Sequence, residues 1–388
     1  MKIVHIITRL IIGGAQENTL LSCEGQHQLG HDVTLITGPA LGPEGSLLGR
    51  AQVGEYRVVV VDEMRRAIRP IGDFQTYQCL VTLLRDLRPD IVHTHSSKGG
   101  ILGRWAARRA GVAAVVHTIH GLAFTASINP MLNQVYKALE GRAAPLTTRI
   151  VCVADAMREQ SLAAGIGRPQ QYVTIYSGME TEPFLNAPTV RDEVRATLGL
   201  TDQHIVVGTI ARLFDLKGHD DLLLIAPKLC EANLNLRFLW VGDGLLRRRF
   251  ESRMEKMGLR DRFILAGMVS PQRVPELTGA MDILVHPSRR EGLARALPQA
   301  ALAGIPVIAY DVDGNKEGLL DGVSGILLPP FDVEKLSAAI SKLGRDPALR
   351  SKMGEAGRQF ALGRFDARIM VEALDRLYHQ ILPTARRS

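Results

Sequence analysis

The sequence predicts an α/β protein of two doubly wound domains with mostly parallel sheets. Three observations carry this. Short β-branched runs recur along all 388 residues, each followed by a Gly-rich or polar turn and then by a stretch with helical periodicity, the signature of βα units. Several of these runs are apolar throughout, as strands covered by helices on both faces must be. The pattern stops at a proline-containing segment, 179–189, and then restarts. A chain of this length has room for two or three domains at roughly 150 residues each.

In the first half, strands are expected at 2–7 (KIVHII), 32–37 (DVTLIT), 56–61 (YRVVVV), 90–95 (DIVHTH), 113–120 (AAVVHTIH), 149–154 (RIVCVA) and 172–177 (YVTIYS). The segment METEPFLNAPT holds two prolines and has no clear period, so it reads as a linker. In the second half, strands are expected at 204–211 (HIVVGTIA), 236–242 (LRFLWVG), 262–267 (RFILAG), 282–287 (DILVHP), 305–310 (IPVIAY) and 325–329 (GILLP). A break at Gly363 precedes a last helix, about 366–382, expected to pack back across the first domain. The expected division is therefore 1–185, 186–365 and a terminal helical segment 366–388. Two such domains facing one another across a cleft bind ligands outside the carboxyl ends of their strands, so the loops after the strands are where chemistry is sought.

Composition narrows the function. With 46% hydrophobic and 22% charged residues the chain is an ordinary globular mixture. Every apolar run is interrupted well short of the ~18 residues that span a bilayer. Arg9 splits the apolar start and no small-residue cleavage site follows, so a cytoplasmic protein is expected. Cys23, Cys79, Cys152 and Cys230 lie far apart without a C-x-x-C pair, which argues against disulfides and zinc and for core positions. The 47 Lys and Arg against 40 Asp and Glu leave a charge of +7, pointing to an anionic partner: nucleic acid, a membrane surface or a phosphorylated small molecule. Aromatics are only 5%, and no basic run is interleaved with aromatics of the kind that stack bases, so nucleic acid is set aside.

The second half carries the stronger site signals. Its first strand ends in IARLFDLKGHDDLL, which places Arg212 and Lys217 on the loop before a helix. They can hold a diphosphate, Arg by a fork of hydrogen bonds and Lys as a point charge; two solvated loop charges is the alternative. After DILVHP comes SRREGLARALPQAALAGIPV. A helix starting near Leu293 or Ala294 tolerates Pro298 in its first turn and aims its free amides at the loop of Glu291 and Gly292. Glu291 and Gln299 can then reach one elongated ligand, Glu291 near a sugar and Gln299 near a ribose, unless Glu291 is only a capping carboxylate. In the first half, Gly13 and Gly14 sit where strand turns into helix, open to a phosphate or serving a tight turn, and they lack a dinucleotide fingerprint.

His93, His95, His117 and His120 cluster around two strand ends. Alternation sends His93 and His95 to one face, but neither segment carries acidic ligands, so a metal is not expected. His93 and His117 read as core histidines, whereas His120, followed by Gly121, can hydrogen-bond a hydroxyl or shuttle a proton. Asp311 and Asp313 form a D-x-D in turn composition, read as a turn rather than a metal site. Arg65, Arg66, Arg69, Arg104, Arg108 and Arg109 are solvated faces or a surface for an anionic membrane or an acceptor phosphate; Arg247, Arg248 and Arg249 open a second-domain helix.

The order and spacing of GGAQ, RPDIVHTHSSKGGILGRWAARRAG, HTIHG, ARLFDLKGH, VGDG, DILVHPSRREGL and AGIPVIAYDVDGNKEGLLDGVSGILLPP resemble the GT-B fold glycosyltransferases of family 4, retaining nucleotide-sugar enzymes of capsule and lipopolysaccharide synthesis. The resemblance covers almost the whole chain and implies two Rossmann-like domains. It implies that Arg212 and Lys217 neutralise the donor diphosphate and the leaving charge, that Glu291 is the first Glu of the E-x7-E motif and contacts the donor sugar, and that amides after Gly292, from Leu293 and Ala294, hold phosphate. Gly13 and Gly14 match the loop meeting diphosphate and acceptor, His120 a residue near the reacting sugar, and the nucleotide base is expected near Met268. The resemblance implies front-face attack in which a donor phosphate oxygen takes the acceptor proton, so no protein nucleophile is required; the family generally needs no metal, and no cofactor is implied. Gln299 departs from the motif's second Glu and loses charge-assisted bonding to the ribose.

The expected activity is transfer of a hexose or N-acetylhexosamine from a nucleotide diphosphate to a glycan or lipid-linked acceptor, with peripheral contact to the cytoplasmic face of a membrane. Two other readings are a nucleotide-sugar epimerase or hydrolase, which needs no acceptor, and a catalytically weak donor-binding scaffold in a glycan-assembly complex.

Overall fold

In the computed structural model, which describes residues 1–41, 45–125 and 129–385, the chain forms two compact units. One is Met1–Met179 joined by the chain from Ala367 onward; the other is Glu180–Asp366. The first holds a seven-stranded sheet of β1 (Lys2–Ile7), β2 (Asp32–Thr37), β3 (Arg57–Val60), β4 (Ile91–His95), β5 (Ala114–Ile119), β6 (Arg149–Cys152) and β7 (Tyr172–Thr174), in the order β3-β2-β1-β4-β5-β6-β7. The second holds a six-stranded sheet of β8 (Ile205–Ile210), β9 (Leu236–Val241), β10 (Phe263–Gly267), β11 (Ile283–His286), β12 (Val307–Tyr310) and β13 (Gly325–Leu328), in the order β10-β9-β8-β11-β12-β13. Neighbouring strands are parallel, as at Ile3↔Ile91 and Leu284↔Val307. Each run read from the sequence contains one of these strands.

The doubly wound form follows from which side chains the strands bury. Val4, Ile6, Val92 and Val115 pack against Leu80, Leu84, Ala106 and Ala107 of the helices Pro70–Leu87 and Ser97–Ala110. Their neighbours Ile3, Ile91 and Val116 pack on the opposite face against Met370, Leu374 and Tyr378 of the terminal helix Ala367–Ala385. Burying one such aliphatic side chain contributes about 1.5–3 kcal/mol, so a strand apolar on both faces is stable only between two helical layers. The second unit repeats the scheme, with Val207 and Ile283 on one face and Val206 and Leu284 on the other.

Four expectations are corrected. The segment read as a linker folds into a helical turn Glu182–Leu185 and a 3₁₀ turn Ala187–Val190, with Phe184 and Ala187 buried. Its prolines stand at the first helical positions, where a missing N–H matters least. The units therefore divide after Met179, six residues before the expected 185. The helix Pro347–Phe365 runs through Gly363, and the break falls at Asp366, whose backbone is extended. Ala367 N–H then donates to Met179 O at 3.0 Å, and a Cβ at Gly178 would stand 2.7 Å from Ala367 Cα. Only glycine permits that approach. Finally, Cys79 is exposed, while Cys23, Cys152 and Cys230 are buried. Among the described residues no helix is long and apolar enough to cross a membrane.

Candidate active site

In the second unit the strand order reverses between β8 and β11, which pair at Val207↔Ile283 and Gly208↔Leu284. Chains leaving two such strands diverge to opposite faces and open a crevice at their carboxyl ends. Arg212 and Lys217 follow β8, and Glu291 follows β11, so the topology itself brings these loops together.

Close backbone packing fixes them. Gly218 has φ +74, and a Cβ there would lie 1.9 Å from Pro287 O. Only glycine lets the Lys217 loop rest on the end of β11. The contact is clamped by Arg289 N–H donating to Leu216 O at 2.8 Å and by Ser288 Oγ donating to the same oxygen at 3.1 Å. The VGDG segment holds the loop from the other side. A Cβ at Gly242 would meet Ala211 O at 2.2 Å, one at Gly244 would meet Leu213 O at 2.5 Å, and Leu213 N–H donates to Asp243 O at 3.0 Å.

Lys217 Nζ forms a hydrogen-bonded ion pair with Glu291 Oε1, and His286 Nε2 lies 2.8 Å from the same oxygen. The Glu291 side chain is 13% exposed and that of His286 4%. Burial alone would push the Glu291 carboxyl up, but the Lys217 charge and the His286 bond outweigh it and hold the group well below the usual carboxylate range. It is an anion at any working pH and a weak base. Glu291 N–H donates to Asp313 Oδ2 at 2.8 Å, and Gly314 N–H donates to Gly292 O at 3.0 Å. Asp313, with φ +46, thus serves the Glu291 loop.

The remaining residues expected on the donor side divide. Arg212 is exposed, stacks its guanidinium 4.9 Å from the Phe214 ring, and has no carboxylate partner among the described residues. The helix after Glu291 spans Ala296–Leu302, starting two residues beyond Ala294, and Pro298 is its third residue. Leu293 and Ala294 bury their side chains. Gln299 is half-buried, and its amide finds no hydrogen-bond partner among the described residues. Met268 is 51% exposed just beyond β10.

In the first unit, Gly13 precedes the helix Gly14–Gln28 with an extended φ of 174. Any residue can adopt that conformation, so backbone strain does not require the glycine at position 13. A Cβ at Gly13 would stand 2.8 Å from Gln16 Oε1. His120 follows β5 half-buried and lines a pocket of about 250 Å³ with Ser97, Thr118, Gly121, Phe124 and Glu140. His93 and His117 are buried and hydrogen-bonded, to Tyr378 and Thr118 and to Thr94 respectively, as core histidines should be.

Arg104 does not belong to a basic surface. Only 1% of its side chain is exposed, and its guanidinium is paired with Glu140 Oε2 at 2.6 Å while Nε donates to Gly100 O. The expected grouping with Arg108 and Arg109 fails because Arg104, midway along the helix Ser97–Ala110, is covered. Arg108 and Arg109 are exposed in the last turn of that helix, where cations oppose the helix dipole. Arg66 and Arg69 are exposed; Arg65 is half-buried, its Nε donating to Asp62 O at 3.1 Å.

Sequence reasoning missed His286 and the role of Asp313. A histidine closing an otherwise apolar strand five residues before Glu291 was the available signal for the first. The second had none, because its partner is a backbone N–H 22 residues away.

Comparison with known proteins finds a family model for each unit. Residues 13–178 match the family model of a glycosyl transferase 4-like domain, and residues 190–360 match that of glycosyl transferases group 1. The chain is 32% identical over 352 residues to the UDP-Gal:alpha-D-GlcNAc-diphosphoundecaprenol alpha-1,3-galactosyltransferase of Escherichia coli, covering 90% of this chain and 89% of that one. It is 30% identical to a GDP-mannose-dependent alpha-mannosyltransferase of Mycobacterium tuberculosis, with 91% and 89% covered. In fold it is similar to Anabaena HepE, solved in complex with UDP and glucose, at a TM-score of 0.84 and 21% identity, with 98% of this chain and 100% of that one covered.

Proposed function

Since the chain belongs to the GT-B glycosyltransferases of family 4 type, enzymes that use nucleotide-sugar donors, we propose that it transfers a hexose or N-acetylhexosamine, with retention, to a lipid-linked or cell-surface glycan acceptor. The observation that carries this reading is Lys217 paired with Glu291 at the β8–β11 switch point, with Arg212 exposed on the same loop.

Arg212 and Lys217 take the donor diphosphate and stabilise the charge that grows on it as the sugar leaves. The reading needs no metal, because these two cations supply the charge. Glu291, freed from Lys217 when the diphosphate arrives, accepts hydrogen bonds from sugar hydroxyls. A carboxylate held so far below its ordinary range is a poor base, which favours a donor phosphate oxygen as the group that takes the acceptor proton. Gln299 meets the ribose and the backbone near Met268 the base. In the first unit, His120 bonds a sugar hydroxyl, and the helix start at Gly13 and Gly14 receives a phosphate. A lipid diphosphate acceptor is supported by the Escherichia coli relative, which is named for one; the names of both relatives specify alpha transfer.

The same reading places the enzyme at the cytoplasmic face of a membrane. Ile68, Ile71 and Phe74 are 71%, 78% and 58% exposed beside Arg65, Arg66 and Arg69, an apolar and basic combination that suits anionic lipid. Co-sedimentation with anionic vesicles should occur and weaken as salt rises; indifference to anionic lipid would return these residues to the solvated surface. For the reaction itself, nucleotide-sugar consumption is followed with and without a polyprenyl diphosphate-linked sugar. Acceptor-dependent release of nucleotide diphosphate is expected. Conversion of the sugar without any acceptor would establish an epimerase or hydrolase instead, and tight binding without turnover a scaffold.

A further inference from the structure

Behind His120 the core of the first unit holds a row of histidines that the proposed reaction does not use. His5 and His93 are register partners on β1 and β4, and His95 shares their face two residues further on. All three are fully buried, and their nitrogens lie within 4.8 Å of one another, a spacing that would suit a metal. Each of their six nitrogens is already hydrogen-bonded. His5 Nε2 meets Gln26 Oε1 at 2.7 Å, His5 Nδ1 meets His95 Nε2 at 3.0 Å, and His95 Nδ1 meets His120 Nε2 at 3.1 Å. His93 Nδ1 meets the Tyr378 hydroxyl at 2.5 Å and its Nε2 meets Thr118 Oγ1 at 2.7 Å. A dication would break these bonds and bring uncompensated charge into the core.

We propose that Gln26, His5 and His95 form a positioning relay that fixes which ring nitrogen of His120 carries its proton. Its catalytic consequence rests on the reading of His120 as a sugar-contacting residue; the relay itself does not. The direction is set at the buried end. Gln26 lies on the helix Gly14–Gln28, fully buried, and its amide nitrogen donates to the Tyr378 hydroxyl at 3.1 Å. Its carbonyl oxygen is thereby turned to His5, and a carbonyl can only accept, so His5 carries its proton on Nε2. A neutral imidazole then offers Nδ1 as acceptor, so His95 donates from Nε2. By the same rule His95 Nδ1 accepts, and His120 donates from Nε2 and keeps Nδ1 as its basic nitrogen. The other branch closes consistently: the Tyr378 hydroxyl accepts from Gln26 and donates to His93 Nδ1, and His93 donates from Nε2 to Thr118. Burial keeps the links neutral, lowering His5 to about 4 and His95 well below its usual value.

The test is ring-¹⁵N histidine labelling of the full chain at pH 7.5, with two-bond ¹⁵N–¹H correlations reporting the protonated nitrogen. The variants His5→Gln, His95→Gln and His120→Gln each delete one signal and so assign the three. Nε2–H is expected at all of them in the wild type; a proton on Nδ1 of His120 overturns the relay without any variant of Gln26. Gln26→Leu should leave His120 with mixed tautomers and lower kcat by roughly tenfold or more, the usual loss when the hydrogen-bond partner behind a functional imidazole is removed, with donor KM within about twofold. Gln26→Glu, which can accept from His5 in either protonation state, should restore both. An unchanged His120 tautomer in folded Gln26→Leu overturns the relay. A changed tautomer with unchanged kcat upholds the relay and overturns the sugar-contacting role of His120.

Discussion

Mild acid should destabilise the first unit, with its four buried imidazoles, more than the second, where His219 is lowered to about 3 by burial. Burial lowers His5 to about 4, with the Gln26 bond offsetting part of the effect. His93, His95 and His117 are lowered well below their usual value, by burial first and then by the neighbouring histidines, with Arg104 ahead of His120 for His117. In the unfolded chain these groups protonate near 6.5. Between that value and 4 the unfolded state binds more protons than the folded state, so stability is full above about pH 6.5 and falls as pH drops toward 4. For His5 alone, moving from pH 7.5 to 5 removes about 2 kcal/mol. The other three act in the same direction. Pulse proteolysis across a urea series, with surviving fragments weighed, reads the two units separately. The first-unit midpoint should fall steeply between pH 7.5 and 5, and His5→Gln should lessen the drop by about 2 kcal/mol. A midpoint that stays put, or the same drop in His5→Gln, refutes the reasoning.

Substitutions at three other positions probe the donor side. Gly218→Ala forces a side chain into left-handed backbone against Pro287 O, costing about 1–3 kcal/mol from conformation alone; a thermal melt should show it, with donor affinity falling as Lys217 is displaced. Asp313→Ala strands the Glu291 N–H and should cost about 1–3 kcal/mol with a matching loss of kcat/KM, while Asp313→Asn keeps an acceptor oxygen and most of the activity; equal loss in both would show that Asp313 acts through its charge. Gln299→Glu should hold or tighten donor binding, by up to about 1 kcal/mol for a charge-assisted bond; a large loss in calorimetry would show that Gln299 makes a different contact.

How much was legible depends on the range of the signal. Strands such as KIVHII and DILVHP could be read because their two faces are both buried, and that demand is written into consecutive residues. Lys217 and Glu291 could be read as site candidates because the switch point draws together the loops after β8 and β11. The pairing of Glu291 with His286, the clamp from Asp313 and the burial of Arg104 against Glu140 could not. Each joins residues to a partner whose position only the tertiary fold defines. The linker was misread because Pro183 and Pro188 punctuate a chain equally well in a loop or in the first turn of a short helix. The histidine row was half legible: alternation put His93 and His95 on one face, but His5 became their neighbour only through the pairing of β1 with β4.

The central claim is that Lys217 carries the charge of the donor diphosphate, and its most direct test is kcat/KM for nucleotide-sugar consumption in Lys217→Ala, with a thermal melt to establish that the variant is folded. Removing one donor aimed at developing negative charge should cost about 3 kcal/mol, roughly a hundredfold in kcat/KM. Wild-type kcat/KM in the folded variant would contradict the claim and leave the Lys217–Glu291 pair as a structural contact.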